Sequence, residues 1–266
     1  NDFLSGEDVL LLGHFDFGDL KYVIENNAYS PDELIDAYRH AVIAIDEEVE
    51  AIIKAIVASN KIPIVVGGGH NNSYPILKAV SKGMFKNGKL PLAQINCISL
   101  VSHANFKQME GRHSGNAFRY AEADGYLGKC ALVGLHESNI SQNVLADIHA
   151  NPFVQYSTYE DIFIHERTNF TQAVAHATGF TEDTFAGIEI DLDAIEYALA
   201  NSCTPSGISV LQARQYVNFA ATDVKVAYLH ICEGASQMAD GRREENTGKL
   251  ISYLVCDFVK ANAART

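Results

Sequence analysis

The chain lacks three features: a long apolar run, paired cysteines and an excess of basic residues. No apolar run approaches the roughly 20 residues of a membrane span, and no basic segment followed by an apolar stretch marks a secretory signal. The five cysteines form no CxxC pair, which favours a reducing compartment over a disulfide framework. With 20 Lys and Arg against 33 Asp and Glu, the net charge of −13 argues against nucleic acid. We therefore expect a cytoplasmic protein with a small polar substrate and no membrane or nucleic-acid partner.

The sequence does have short, nearly continuous apolar runs, which alternate with helical patterns. Such runs are typical of strands buried on both faces. The runs are Val9–Gly13, Ile62–Gly67, Gln94–Val101, Cys130–Leu135, Val154–Ser157, Phe185–Asp193 and Val226–Cys232. The clearest helical pattern begins with Ser30 as a capping residue, Pro31 at the first helical position and Glu33 at the third, and its apolar stripe runs from Leu34 to Ile56. Further helical patterns cover Ser73–Val80, Ser141–Ala150, Asn169–Ala177, Ser209–Ala220 and Gly248–Ala261. With no Pro- or Gly-rich linker, residues 1–266 are predicted to form one domain, a three-layer α/β/α sandwich with a mainly parallel sheet.

Polar side chains follow several of these runs at the point where each run ends. They are His70, His103, Asp191, Asp193 and Glu233. In an open α/β sheet the carboxyl ends of the strands form the ligand-binding edge, and imidazoles with carboxylates suit a divalent metal such as manganese or zinc. Each residue alone has a simpler interpretation: a hydrogen-bonded histidine, a solvated strand end, a helix cap or a satisfied carboxylate.

Read together, these segments resemble the ordered signatures of the ureohydrolase superfamily, which contains arginase, agmatinase and formimidoylglutamase. The segments are Gly67–Asn72, Ser102–Lys107, Glu110–Asn116 and Glu189–Asp193. The similarity extends from about Val9 to the C-terminus and is closest to the formimidoylglutamase-like branch. It implies an arginase-like fold, a homo-oligomer and a pair of manganese ions whose shared hydroxide attacks a linear amidine, such as formimidoylglutamate or a guanidino compound.

The resemblance also implies roles for single residues. His70, Asn105 and Asp191 would face one metal ion, while His103, Asp191 and Asp193 would face the other. Glu233 would lie near the amidine group and act with Asp191 in catalysis. The residues expected to hold the rest of the substrate are Arg112, His113, Ser114, Asn116 and Glu137. For Arg112 and His113, a simple pair in a surface loop is an equally good interpretation.

Two positions depart from the pattern. The family's second motif reads Asp-x-His-x-Asp, whereas this chain has Val101-Ser102-His103-Ala104-Asn105. Val101 replaces an aspartate that would bridge both ions, and Asn105 offers a neutral amide in place of a carboxylate. Because the site loses two negative charges, we expect one manganese ion, or none, instead of a full pair. A single ion at His103, Asp191 and Asp193 fits the usual open arrangement of three protein ligands and a water.

Two functions are consistent with these residues. The first is hydrolysis of a linear amidine with an impaired metal site, favoured by the retained imidazoles and carboxylates. The second is a catalytically inactive relative that acts as a binding or assembly partner, favoured by Val101 and Asn105. The sequence leaves open whether the chain is an enzyme and what its substrate is.

Overall fold

The computed structural model describes residues 9–265, and at its centre lies a six-stranded sheet. The strands are β1 Ile64–Val66, β2 Ile95–Leu100, β3 Leu127–Leu135, β4 Val154–Thr158, β5 Phe185–Asp191 and β6 Lys225–Cys232. Their order across the sheet is β1-β6-β5-β2-β3-β4, and every neighbouring pair is parallel. The carboxyl ends of β1, β6, β5 and β2 therefore lie side by side at one edge.

Helices cover both faces of this sheet. They are α1 Gly18–Asn27, α2 Pro31–Ala58, α3 Ser73–Lys86, α4 Ala117–Ala123, α5 Gln142–Ala150, α6 Phe170–Thr181, α7 Val210–Asp223 and α8 Asn246–Ala263. One buried apolar cluster joins the sheet to α6, α7 and α8, and a second joins it to α2, α3 and α4. This arrangement confirms the predicted three-layer sandwich. Among the described residues, no helix is long and apolar enough to cross a membrane.

The start of α2 follows the predicted capping pattern. Ser30 is the N-cap, its hydroxyl accepts a hydrogen bond from the backbone N–H of Glu33, and Pro31 opens the helix. These contacts satisfy a donor that the first helical turn leaves free. The buried face runs through Val49, Ile53 and Val57. The predicted stripe from Leu34 to Ile56 is buried only in part: Tyr38 and Ile52 are exposed, because α2 packs with one face against α3.

The first predicted strand is wrong. Residues 9–13 form no strand, and Leu10, Leu11 and Leu12 are 79%, 89% and 62% exposed. Apolar content alone does not make a strand, since a strand requires a partner for its backbone groups. Helices α1 and α4 lie in segments for which the sequence predicted no element. Their short apolar patterns are weaker than the long stripe of α2.

The strand that carries the paired aspartates ends earlier than predicted. β5 stops at Asp191, whose side-chain Oδ1 accepts a hydrogen bond of 2.9 Å from the backbone N–H of Asp193. This contact turns the chain into a 3₁₀ turn over Leu192–Ala194. The turn allows both carboxylates to face the same cluster, although Asp193 no longer lies on the strand.

Candidate metal centre

The carboxyl ends of four adjacent strands bring together most of the predicted ligands. His70 follows the Gly67–Gly69 turn after β1, His103 and Asn105 follow β2, and Asp191 ends β5. The turn depends on glycine at position 68, where the backbone has a φ of +71° and a Cβ would collide with the Asn72 amide. The side chains meet in two groups that share Asp191.

The first group contains His103, Asp191 and Asp193. One ligand atom from each lies within 4.8 Å of the other two. Burial, and next the nearby charge of Asp191, raise the pKa of Asp193 to about 7. Two like charges held this close are costly without a compensating cation. The donors, one imidazole and two carboxylates, fit a divalent ion.

The second group surrounds His70, which is 1% exposed. Its Nε2 lies 2.7 Å from Oε2 of Glu189, and its Nδ1 lies 3.2 Å from Oδ2 of Asp191. The amide of Asn105 is 2.8 Å from the same Nδ1. One ring nitrogen cannot both donate to Asp191 and accept from Asn105. Because Nε2 donates to Glu189, Nδ1 of the neutral ring carries the lone pair and accepts from the amide N–H of Asn105.

Glu189 is a functional residue for which the sequence analysis gave no role. Its fully buried carboxylate accepts hydrogen bonds from His70, from the hydroxyl of Ser73 at 2.5 Å and from that of Tyr228 at 2.6 Å. Burial alone would raise the pKa of Glu189, but hydrogen bonds and charge from His230 and His70 hold it well below the ordinary value. The carboxylate therefore fixes the ring of His70, as partners of metal-binding histidines do.

The sequence carries one signal that could have identified this network. Gly187 lies two residues before Glu189 on β5, and a Cβ there would collide with the ring of Tyr228. The glycine allows that ring to cross the strand and reach the buried carboxylate. A glycine within an otherwise apolar strand often marks such a close approach.

Cys232 is the second residue that the sequence analysis missed. It ends β6 as the direct neighbour of Asp191 on β5, and it is fully buried. Its Sγ, a ring nitrogen of His70 and a carboxylate oxygen of Asp191 all lie within 4.8 Å of one another. In the sequence it is one of several cysteines in apolar runs, where a thiol behaves as a small hydrophobe. Only the strand pairing reveals its position.

Two residues at this edge hold a left-handed backbone. The φ angles of Asn105 and Glu233 are +57° and +63°, a region that side chains other than glycine adopt at a cost. Oε1 of Glu233 accepts a hydrogen bond of 2.6 Å from the backbone N–H of His70. Burial, the largest influence, raises the pKa of Glu233. The carboxylate thus lies beside His70 and supports the turn that carries it, while its place near an amidine group stays a prediction.

Val101 lies at the end of β2, where its backbone N–H donates to the carbonyl of Val133. Its side chain is fully buried in the apolar cluster that includes Phe106 and Phe118. The ring of Phe118 packs edge-on against His70, with centroids 5.4 Å apart. The apolar cluster that contains Val101 therefore borders His70 through Phe118, and Val101 itself offers no metal ligand.

Arg112 is buried and held by protein groups. Its Nε and Nη2 contact the carboxylate of Asp46 at 2.9 and 3.3 Å, and Nη2 also donates to the carbonyl of Asn71. Its guanidinium lies over the rings of Tyr74 and Tyr120. These contacts give Arg112 a structural role, while the expected grip on a substrate carboxylate stays a prediction.

The other predicted substrate residues differ in their surroundings. Asn116 is fully buried, and its amide group bonds to backbone groups on both sides and to Arg112. His113 caps the Ser114–Asn116 turn by accepting from the N–H of Gly115. Ser114 is half-buried, and Glu137 is exposed. Ser114 and Glu137 therefore remain accessible to a small molecule.

Comparison with known proteins gives a consistent result. A model of the arginase family matches residues 6–259. Formimidoylglutamase from Bacillus subtilis is 17% identical with a TM-score of 0.69, over 84% of this chain and 68% of that one. Arginase from Bacillus subtilis is 14% identical with a TM-score of 0.70, over 83% and 78%.

A structure of Trypanosoma cruzi formiminoglutamase with Mn²⁺ is 18% identical with a TM-score of 0.68, over 90% of this chain and 74% of that one. No curated protein sequence matches the chain. At these identities the structural likeness concerns the fold alone, whereas the family match covers nearly the whole sequence. The chain belongs to the arginase family.

Proposed function

We propose that this protein hydrolyses a C–N bond of a linear amidine, formimidoylglutamate or a guanidino compound, with a divalent metal ion. The observation that carries the proposal is the convergence of His103, Asp191 and Asp193 within 4.8 Å. Two buried carboxylates beside an imidazole would destabilise the fold without a compensating charge, because unpaired buried charge is costly. A cation gives the arrangement a physical reason.

The donor set fits one hard or borderline ion at this position. Three protein ligands leave room for a water, which is the usual composition of an open catalytic site. A bound divalent ion would supply an activated water and stabilise the negative charge that develops during hydrolysis. Manganese is the family-based expectation, and Val101 and Asn105 favour one ion over a pair.

The chain's own residues would bind and orient the substrate. Oε1 of Glu233 is engaged by the N–H of His70, so Oε2 is the oxygen available to an amidine N–H. A carboxylate pairs well with the planar, forked donors of an amidinium group. Ser114, half-buried at the start of its turn, would contact the other end of the substrate, and Asn116 would hold that turn in place.

The alternative is a catalytically inactive protein that uses the same pocket to bind or assemble. One observation favours it: Val101 is fully buried in the same apolar cluster as Phe118, whose ring packs against His70. A family member without the bridging carboxylate would retain the fold and lose most of its metal affinity. The two candidates differ in metal content and in turnover.

The test measures both on the whole chain. Chelator-stripped protein is reloaded with Mn²⁺, bound ions per chain are counted by mass spectrometry, and release of formamide or urea is followed with formimidoylglutamate and guanidino compounds. We expect about one ion per chain and turnover that Asp193→Asn abolishes. The matched control is Asp183→Asn, at the amino end of the same strand, where the carboxylate pairs with Lys129. No bound metal and no turnover would establish the binding protein instead.

A further inference from the structure

We propose that His70, Asp191 and Cys232 form a second metal position whose sulfur ligand selects a zinc-like ion over manganese. The inference deepens the proposed function and rests on it, because both require a metal ion in the same pocket. It differs from the family-based expectation, in which manganese fills both positions through oxygen and nitrogen ligands alone. The cysteine changes the chemical character of the site.

The geometry of the three ligands carries the proposal. Their donor atoms lie within 4.8 Å of one another, and the side chains of His70, Asp191 and Cys232 are 1%, 2% and 0% exposed. Asp191 and Cys232 are paired across neighbouring strands, so the sheet itself fixes their separation. Two of the three ligands are therefore held on paired strands, and His70 is held on the turn that follows β1.

The ring of His70 is oriented for this role. Nε2 lies 2.7 Å from the buried carboxylate of Glu189, which leaves Nδ1 facing Asp191. A proton held on Nε2 by a carboxylate keeps the lone pair on the other nitrogen, as at many metal-binding histidines. The amide nitrogen of Asn105 lies on the same side of the ring, 2.8 Å from Nδ1, and a rotation of the amide can present its oxygen as a further ligand.

The thiol of Cys232 lies where it can act as a ligand. It donates to the carbonyl of Ile190 at 3.7 Å, and it also lies within hydrogen-bond reach of His70. When an ion binds, the thiol proton leaves to the solvent and the sulfur donates an electron pair, with no change of oxidation state. The thiolate and the carboxylate of Asp191 then balance the two charges of the ion.

The donor types decide which ion is preferred. Thiolates favour zinc and other softer ions, whereas carboxylates and carbonyls suit manganese and magnesium. Val101 occupies the neighbouring strand end with an apolar side chain and contributes no oxygen that would favour manganese. A mixed set of nitrogen, oxygen and sulfur therefore points to zinc, or to cobalt as its spectroscopic substitute.

The experiment uses the whole chain stripped of metal and reloaded with Zn²⁺, Mn²⁺ or Co²⁺. With Co²⁺ we expect the near-ultraviolet band of thiolate-to-cobalt charge transfer, which Cys232→Ser removes. The same variant should weaken Zn²⁺ binding at least about tenfold and leave Mn²⁺ binding nearly unchanged. Cys130→Ser is the matched control, because Cys130 is equally buried in β3 and lies outside the cluster.

Two results would overturn the inference. One is a cobalt-loaded wild-type protein without the charge-transfer band, a measurement that needs no variant to fold. The other is a folded Cys232→Ser protein whose affinities for Zn²⁺ and Mn²⁺ fall equally. The assay also separates this inference from hydrolysis. A charge-transfer band without turnover supports the cysteine ligand and contradicts the proposed function. Turnover without a band supports the proposed function and contradicts the cysteine ligand.

Discussion

Single side chains set the charge of the candidate metal centre. Asp191 and Asp193 supply two carboxylates, Cys232 adds a thiol, and Val101 with Asn105 add no charge. A divalent ion is most favoured where nearby anions balance it. Each change of one ligand should therefore alter both the affinity for metal and the choice of ion.

Restoring both aspartates of the motif should increase manganese binding. In Val101→Asp with Asn105→Asp, we expect Mn²⁺ affinity to rise at least about tenfold. The metal-free variant should be less stable by about 1–3 kcal/mol, because a carboxylate would be buried in an apolar cluster. Calorimetric titration and thermal unfolding with and without Mn²⁺ measure both effects. Val133→Asp, which buries a carboxylate elsewhere, should lose stability without gaining affinity. An equal gain there would contradict the assignment of Val101.

The stability of the metal-free protein should depend on pH through Asp193. Its pKa rises from 3.8 to about 7 on folding, so the folded protein holds this proton more tightly than the unfolded chain does. The stabilisation is complete below about pH 4 and is lost as the pH rises through about 7. We expect Asp193→Asn to unfold at a higher temperature than wild type at pH 8, and at nearly the same temperature near pH 4. A difference independent of pH, measured with chelator present, would show that the titration of Asp193 is not the cause.

Glu189 should act on metal binding through His70. In Glu189→Gln the side chain can no longer accept from His70, Ser73 and Tyr228 together, so the imidazole loses its fixed orientation. We expect metal affinity to fall about 10–100-fold. Glu50→Gln, which removes a carboxylate paired with Lys78 on the helical surface, should leave the affinity unchanged. Competition with a chromogenic chelator measures the metal affinity of both variants. An unchanged affinity in Glu189→Gln would show that Glu189 does not position His70 for metal binding.

At the scale of helices and strands, local side-chain chemistry explains where helices begin, but it does not explain which strands pair. The N-caps of α6 and α7 are the side chains of Asn169 and Ser209, each in a capping box, as their sequences suggest. The edges of the sheet are different. β1 is short and partly exposed, and the apolar run at residues 9–13 does not pair with a strand.

The cap of α2 provides a test at this scale. In Ser30→Ala the N–H of Glu33 loses its acceptor, and we expect a loss of about 0.5–2 kcal/mol in the free energy of unfolding. Chemical denaturation measures the change. Ser59→Ala, at the other end of the helix, should change it by less than about 0.5 kcal/mol. Equal effects of the two substitutions would mean that the cap contributes nothing specific.

Across the whole molecule, Arg112 joins parts of the fold that are distant in sequence. It bonds to Asp46 on α2 and to the carbonyl of Asn71 beside His70, and it packs on Tyr74 of α3 and Tyr120 of α4. The turn that carries His70 is thereby linked to the helical layer. The guanidinium of Arg112 therefore supports both the packing of the helices and the turn that carries His70.

Removing that cation should therefore destabilise the protein. In Arg112→Ala the carboxylate of Asp46 is left buried and uncompensated, at a cost of about 3–5 kcal/mol. Arg112→Met together with Asp46→Leu removes both charges and should lose less. Urea denaturation compares the two. If Arg112→Ala instead raised KM without changing stability, the substrate contact predicted from the resemblance would explain the residue better.

The sequence by itself determined the layered fold and the edge at which most of the candidate ligands meet, because buried parallel strands have nearly continuous apolar runs and their polar ends share one edge. His70, His103, Asp191 and Asp193 were placed at this edge in this way, and their binding of a metal stays a prediction. Only the tertiary structure showed that Glu189, Tyr228 and Cys232 lie in the site and that Arg112 pairs with Asp46. Those contacts join residues from different strands and helices, and their formation depends on strand register and helix docking, which no local pattern encodes. The exposed leucines at residues 10–12 show the same limit, since pairing requires a partner that composition cannot supply.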